Sequence, residues 1–418
     1  VPQVLIREIK EEYVHRMTRF LNVIAVSAAV EVARKIAPPP QPETVPLDLA
    51  SGRILAAPVR SDTDIPGFDR SVVDGYAVRA ADTVGSSEAM PAMLRCVGRV
   101  AMGEVTVALR AGPGECAYVP TGGILPDSAD AVVMVENAEP AGDMILVKKV
   151  VSFGENVLRH DEDYRKGDVV LPAGRRLSPQ DTGVLAAAGC GSVPVTRKPV
   201  VGIISTGNEL VPLTKVPKKG QVRDANASML AAYLQGYGCL PRQYGIVRDE
   251  KAAFESAIAK AVAECDVVLL SGGSSKDDRD MTAGTIAAKG EVLVHGIAIA
   301  PGKPTIIGRV FGKPVFGLPG HPASAYIVLI AIVCPLLDRM IGADRPQVRT
   351  VTATLDLNVP SQRGREDYVR VKVNDGIATP VFGKSGLLNT LVASDGVIRI
   401  PAGSEGLEKG STVEVILW

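Results

Sequence analysis

The chain has 418 residues, with 46 Lys and Arg set against 46 Asp and Glu, and with 46% hydrophobic and 22% charged residues. That length exceeds one ordinary domain, and the composition excludes intrinsic disorder, collagen and coiled coil. Balanced charge removes the broad cationic footprint of nonspecific binders, so neither a nucleic acid nor a membrane is expected as a partner.

Gly (42) and Pro (30) are abundant and aromatic residues are few, so turns are plentiful. The cysteines at 96, 116, 190, 239, 265 and 334 never fall at the two-residue spacing of a zinc knuckle or redox pair, which reads as a reducing cytoplasm. The first residues, VPQVLIREIKEE, are charged where a signal peptide turns apolar. The apolar stretches read as too short or too interrupted to span a bilayer, and a cytoplasmic protein is expected.

In chain order, Leu5 to Ile36 reads as a helical arm stopped by Pro38-Pro39-Pro40. From Leu47 to about Val170, short β-rich pieces such as MLRCVGRV, ECAYVP, AVVMVE and MILVKKV alternate with Gly, Pro and Asp. Ser178-Pro179 opens a helix through Ala188, with Gly189 as its stop. Asn226-Ala227-Ser228 fits a glycosylation pattern but reads as a helix start.

From Pro199 to about Ile341, strands (VVGIIS, GIV, DVVLLS, EVLVHGI, PVFGL) alternate with helices, as in a doubly wound parallel sheet. After Pro346, VRTVTATLDL, DYVRVKV, TPVF, GVIRIP and STVEVILW read as a small closed or sandwiched β domain. The class is therefore α/β multidomain.

Three strand ends in the α/β unit run into loops that should line one rim: Ser205 to Glu209, Ser271 to Ser275, and Leu318 to Pro322. Glycines there let backbone amides approach an anionic ligand. Neither GxxxxGK[ST] nor GxGxxG occurs, so a P-loop or dinucleotide fold lacks its signal. Carboxylates crowd the same rim at Glu209, Asp249, Asp277, Asp278 and Asp280, a set suited to Mg²⁺ bound with a phosphorylated substrate; Asp280 alone would serve equally as a helix N-cap. Lys303, in Pro301-Gly302-Lys303-Pro304, is a cation on a stiff turn that fits an oxyanion partner. The four histidines show no ligand spacing, and no Ser or Cys pairs visibly with a His–Asp relay.

With these motifs in hand, the chain resembles the molybdopterin molybdenumtransferases of the MoeA type, related to the E domain of gephyrin. The resemblance rests on Ile65 to Ser71 leading to Val73-Asp74-Gly75-Tyr76-Ala77, on Pro120 to Pro126 leading to Ala129 to Val133, and on Glu162-Asp163. It continues through Ser205 to Leu210, Asp224 to Asn226, Ser271 to Asp280, Pro301 to Pro304 and Gly317 to Ala325.

It implies four parts: a linker domain of residues 1–69 and 166–198, an inserted mixed β domain of 70–165, a MogA-like α/β domain of 199–345, and a C-terminal β-barrel of 346–418. It also implies a homodimer whose clefts join the α/β domain of one subunit to the β domain of its partner. The implied reaction takes adenylylated molybdopterin and molybdate, uses Mg²⁺ and releases AMP. An upstream molybdopterin adenylyltransferase is a possible partner.

Carried over by motif, Asp74, Asp163, Glu209, Asp249 and Lys303 are catalytic candidates. Thr121, Asn226, Gly272, Gly273, Ser275, Pro319, Gly320, Pro322, Arg365 and Ser385 are cofactor-binding candidates, and Asp280, Glu209 and Asp249 the metal candidates. Four positions depart from the family. Ala300 stands where a basic residue is common, Asp277 where Gly is, His321 where Asn is, and Asp161 where Gly precedes Glu162-Asp163. A paralogue inserting tungstate, or a noncatalytic cofactor-binding scaffold, is the alternative reading.

Overall fold

The computed structural model describes residues 22–103, 110–272, 276–343 and 348–418, with the side chains of 276–280 outside the description. Of the expected arm, a helix spans Val26–Lys35 and buries Val26, Ala29 and Ala33; residues 1–21 lie outside the described residues. Strand Pro42–Pro46 pairs antiparallel with Ser192–Thr196, so two segments distant in sequence form one unit. The helix expected after Ser178 spans Pro179–Ala187. Ser178 and Asp181 cap it reciprocally, and Gly189 follows with φ 83°. Burial of Asp181 acts to raise its pKa, but the Arg175 guanidinium and the Ser178 amide and hydroxyl outweigh it and hold the carboxyl below its ordinary value.

The β-rich first half contains a six-stranded mixed sheet. Two of its neighbouring interior strands, Gly75–Val78 and Glu115–Val119, run antiparallel, so the start of one and the end of the other lie side by side at one end of the sheet. Gly75 is required there, because a Cβ at this position would lie 2.2 Å from the Val133 carbonyl oxygen.

The α/β domain holds a six-stranded sheet in the order Leu240–Val247, Val200–Thr206, Val267–Gly272, Lys313–Leu318, Ile306–Val310, Gly290–His295. The first four are parallel, whereas Ile306–Val310 pairs antiparallel with both of its neighbours. That strand was not expected. It is half of a hairpin turned by Phe311-Gly312, both at positive φ, which a strand–helix rhythm does not encode. One apolar layer, including Ile203, Leu230, Leu269, Phe316 and Ile327, covers one face, and another, including Ile204, Phe254, Ile258 and Leu270, covers the other.

By length and composition alone, Pro322–Ile341 is an exception to the expectation that the apolar stretches are too short or too interrupted to span a bilayer. It is a 20-residue helical stretch of mean hydropathy 1.9, but 72% of that window is buried inside the protein, as befits a core helix. Its middle, Leu329–Val333, is a π-helical turn preceding Pro335, whose missing N–H interrupts the α ladder.

The C-terminal region forms a closed five-stranded barrel, because Glu366–Asn374 pairs with both Ile377–Pro380 and Gly396–Ile400 while Thr350–Leu355 and Thr412–Leu417 complete the ring. The short strand Ile299–Ala300 of the α/β domain adds to the barrel edge at Glu366 and Asp367. The barrel therefore sits on the α/β domain of its own chain. All six cysteines are free, and burial pushes the Cys116 and Cys239 thiols up to about 12.

Candidate functional site

The carboxyl ends of the four parallel strands converge on one rim, as the Gly- and Ser-rich loops predict. Thr206 Oγ1 donates to Asp249 Oδ1 at 2.6 Å, and the Asn208 amide donates to Asp249 Oδ2 at 3.1 Å. Asp249 is thus fixed by the neighbouring strand end. Glu209 is exposed and folds its carboxylate back over Gly207, where a Cβ would lie 2.6 Å from Oε2. A cavity of about 790 Å³ opens beside them, lined in part by Asn208, Lys215, Gln221, Arg248 and Asp249.

Asn226 ties the rim together. It is 8% exposed, and its Nδ2 donates to Ser271 Oγ at 3.0 Å and to the Gly320 carbonyl at 2.8 Å. The side chain was expected to bind cofactor, but its donors are used to hold two loops in register. Gly272 has φ 121°, and a Cβ there would fall 1.9 Å from the Thr206 carbonyl oxygen, so only glycine lets these strand ends approach. Pro319 is buried, and Pro322 begins the helix Pro322–Val328. The Ala323 N–H of that first turn donates to the Ser385 carbonyl at 3.1 Å, so this helix start is capped by the barrel loop. Gly273, Ser275 and the side chains of Asp277, Asp278 and Asp280 lie outside the described residues.

The Pro301–Pro304 turn presents Lys303 as expected: it is exposed, with no ion pair or side-chain hydrogen bond among the described residues. A second cavity, of about 440 Å³, is lined by Ala300, Pro301, Arg365, Asp367, Arg370, Ser385 and neighbouring barrel residues, with Lys303 outside the lining. Arg365 does not enter it as an uncompensated charge, because its Nε lies 2.8 Å from Asp367 Oδ1. Sequence reasoning passed over Arg370. It is 7% exposed, donates from Nη2 to the Gly383 carbonyl, leaves Nε unpartnered and faces no carboxylate among the described residues. Burial pulls its pKa down. An arginine between valines in a strand reads as solvent-facing; the only signal was its place in the barrel's pairing core.

Asp74 and Thr121 meet at that end of the sheet of the first half. The Thr121 amide and Oγ1 donate to Asp74 Oδ1 at 2.7 and 3.1 Å. Asp163 is exposed on a segment whose amide donates to the Ile65 carbonyl. Among the described residues no hydrogen bond, ion pair or strand pairing links residues 62–165 with 199–345 of the same chain. The structure therefore gathers two groups, Asp74 with Thr121 and the α/β rim with the barrel cavity.

Two further departures acquire a physical reading. Asp161 adopts φ 59°, the left-handed conformation that glycine takes freely and Asp tolerates, and its carboxylate pairs with Arg165 Nε at 2.8 Å. Asp161→Gly is accordingly expected to shift the melting temperature by no more than about 2 °C, while Asp161→Val should lower stability by about 1–2 kcal/mol. His321 Nδ1 lies 2.9 Å from Ser385 Oγ, and among the described residues no carboxylate joins the pair to make the His–Asp relay that the sequence did not show either.

Fold and rim together define a multidomain protein in which an open α/β sheet, its strand ends lined by loops, carries a C-terminal β-barrel. The sequence matches the MoeA N-terminal region (domain I and II) over residues 24–189, a probable molybdopterin binding domain over 202–339, and the MoeA C-terminal region (domain IV) over 352–418. It is 34% identical to the molybdopterin molybdenumtransferase of Bacillus subtilis, covering 90% of this chain and 89% of that one. Two solved structures of the molybdopterin biosynthesis MoeA protein from Pyrococcus horikoshii superpose with TM-scores of 0.82 and 0.85 at 41% and 34% identity. Each covers 95% of this chain, and 99% and 100% of theirs are matched. The chain belongs to the MoeA family, whose place is in molybdenum cofactor biosynthesis.

Proposed function

We propose that the protein inserts molybdate into adenylylated molybdopterin with release of AMP, in a Mg²⁺-dependent reaction carried out by a homodimer. The observation that carries the reading is the junction of the α/β rim with the barrel cavity, which Ser385 lines together with Arg370, a buried guanidinium that has no carboxylate partner among the described residues. A tetrahedral dianion of molybdate's size suits those donors, since charge-assisted hydrogen bonds satisfy a buried arginine whose Nε lacks a partner in a low-dielectric setting.

Glu209 and Asp249 fit a hard divalent cation shared with a substrate phosphate, which needs only one or two protein carboxylates. Asp249 accepts one hydrogen bond on each oxygen and so keeps lone pairs for a cation. These two residues would hold Mg²⁺, which when bound neutralises phosphoryl charge. The rim itself orients the substrate: Asn226 fixes the Ser271 and Gly320 loops, and Lys303 offers a free ammonium toward the charge gathering on the departing AMP. Lys303→Met should lower kcat/KM for AMP release by about a hundredfold, in line with the loss of one electrostatic donor. Its melting temperature should stay within about 1 °C, because the side chain is exposed and has no partner among the described residues.

Ala300 lines the cavity, so Ala300→Lys should tighten molybdate about tenfold to a hundredfold in a titration, the worth of a well-placed charged contact. The dimer reading is supported by the separation of Asp74, Thr121 and Asp163 from the rim. Mixing inactive Asp74→Asn with inactive Lys303→Met tests it. Heterodimers carry one intact site, so a refolded mixture should regain about a quarter of wild-type activity. No recovery would place all these residues in a single-chain site.

A further inference from the structure

The loop that carries Ser385 is held to the α/β rim at two points, its carbonyl accepting from the Ala323 N–H and its hydroxyl meeting His321 Nδ1 at 2.9 Å. Ser385 also lines the 440 Å³ cavity with Arg370, and its hydroxyl has no other partner among the described residues. A serine hydroxyl has one proton and two lone pairs. If that proton goes to Nδ1, the cavity sees only lone pairs, which repel an anion. If instead Nδ1–H donates to Oγ, the proton is free to point at the anion.

We propose that His321 is a positioning residue for the oxyanion. Donating from Nδ1 to Ser385 Oγ, it turns the Ser385 O–H into the cavity beside Arg370, and a bound oxyanion in turn fixes the imidazole proton on Nδ1. The inference rests on the reading of this cavity as the molybdate site. A contact that merely fastened the loop would be met by either direction of the hydrogen bond, and the direction is what distinguishes the two roles.

The test titrates the full chain with molybdate alone, by calorimetry and by ¹⁵N spectroscopy of labelled histidine. Ser385→Ala should weaken molybdate about tenfold, and His321→Ala about three- to tenfold. The double variant should be no weaker than Ser385→Ala within about twofold, because the histidine acts only through the hydroxyl. His321→Asn keeps an N–H donor and should restore binding to within about threefold of wild type. The chain has four histidines, so the resonance absent from His321→Asn identifies the ring, and its Nδ1 should lie in the protonated-nitrogen range with molybdate bound.

Weakened binding in Ser385→Ala with unchanged binding in His321→Ala, or additive losses, or an Nδ1 signal in the unprotonated range with molybdate bound, overturns the inference and leaves the molybdate site standing. Wild-type protein that does not bind molybdate, or Ser385→Ala binding it as tightly as wild type, overturns both. The spectroscopic arm uses wild-type protein, so poor folding of a variant does not remove the test.

Discussion

Asn226→Asp is expected to lower kcat/KM by at least about a hundredfold and to reduce stability by about 3 kcal/mol. The substitution is nearly isosteric, yet it replaces the NH₂ that donates to Ser271 Oγ and the Gly320 carbonyl with a carboxylate oxygen. At 8% exposure that oxygen faces the Gly320 carbonyl without a proton between them. The carboxyl must either stay neutral or push the Leu318–Pro322 loop away, and each route disturbs a rim built from three strand ends. The stability cost should shrink as pH falls. The folded state favours the protonated acid, so the substituted group's folded pKa lies above its unfolded value, and the penalty present at neutral pH fades as pH drops through that folded pKa. Chemical denaturation at pH 7 and pH 5 checks this. A variant with wild-type stability at both would show that the amide bridges nothing essential.

Gly272→Ala should be the most destabilising single change on the rim, by about 3–5 kcal/mol. A methyl group there would sit 1.9 Å from the Thr206 carbonyl oxygen, on a backbone at φ 121° that L-residues avoid. Both objections are to backbone atoms, so no side-chain rotation relieves them. Thr206 also fixes Asp249, so any strand displacement that accommodates the methyl group moves a candidate catalytic carboxylate. Thermal melting with activity measured per folded molecule separates the two effects. Unchanged melting would mean that the strand ends are farther apart than described.

Local chemistry explains which parts of this structure the sequence disclosed. Ser178-Pro179 and Gly189 mark both ends of a helix within twelve residues, and the structure has that helix, with Asp181 completing a reciprocal cap. The rim was legible because strand–loop–helix order forces carboxyl ends to one side of a parallel sheet, irrespective of side-chain detail. The antiparallel Ile306–Val310 strand was not, since a β-branched run followed by Phe-Gly carries no statement of which neighbour it will pair with. The barrel's closure likewise depends on Glu366–Asn374 having partners on both sides, a long-range fact.

Among site residues, Asp74 and Thr121 were assigned by motif alone, and their meeting depends on the antiparallel pairing of Gly75–Val78 with Glu115–Val119, which no local pattern states. That the Asn226 amide holds two loops was not legible, because its hydrogen-bond partners lie far along the chain. Arg370 illustrates the same limit, its significance lying in burial without a carboxylate rather than in any motif.

The most direct test of the account supplies purified protein with adenylylated molybdopterin, molybdate and Mg²⁺ and measures AMP. AMP should appear in step with molybdenum incorporated into the dithiolene, should fall to background when molybdate or Mg²⁺ is withheld, and should fall about a hundredfold in Lys303→Met. AMP release that proceeds at the same rate without molybdate, or substrate that stays intact under all conditions with folded protein, would contradict it.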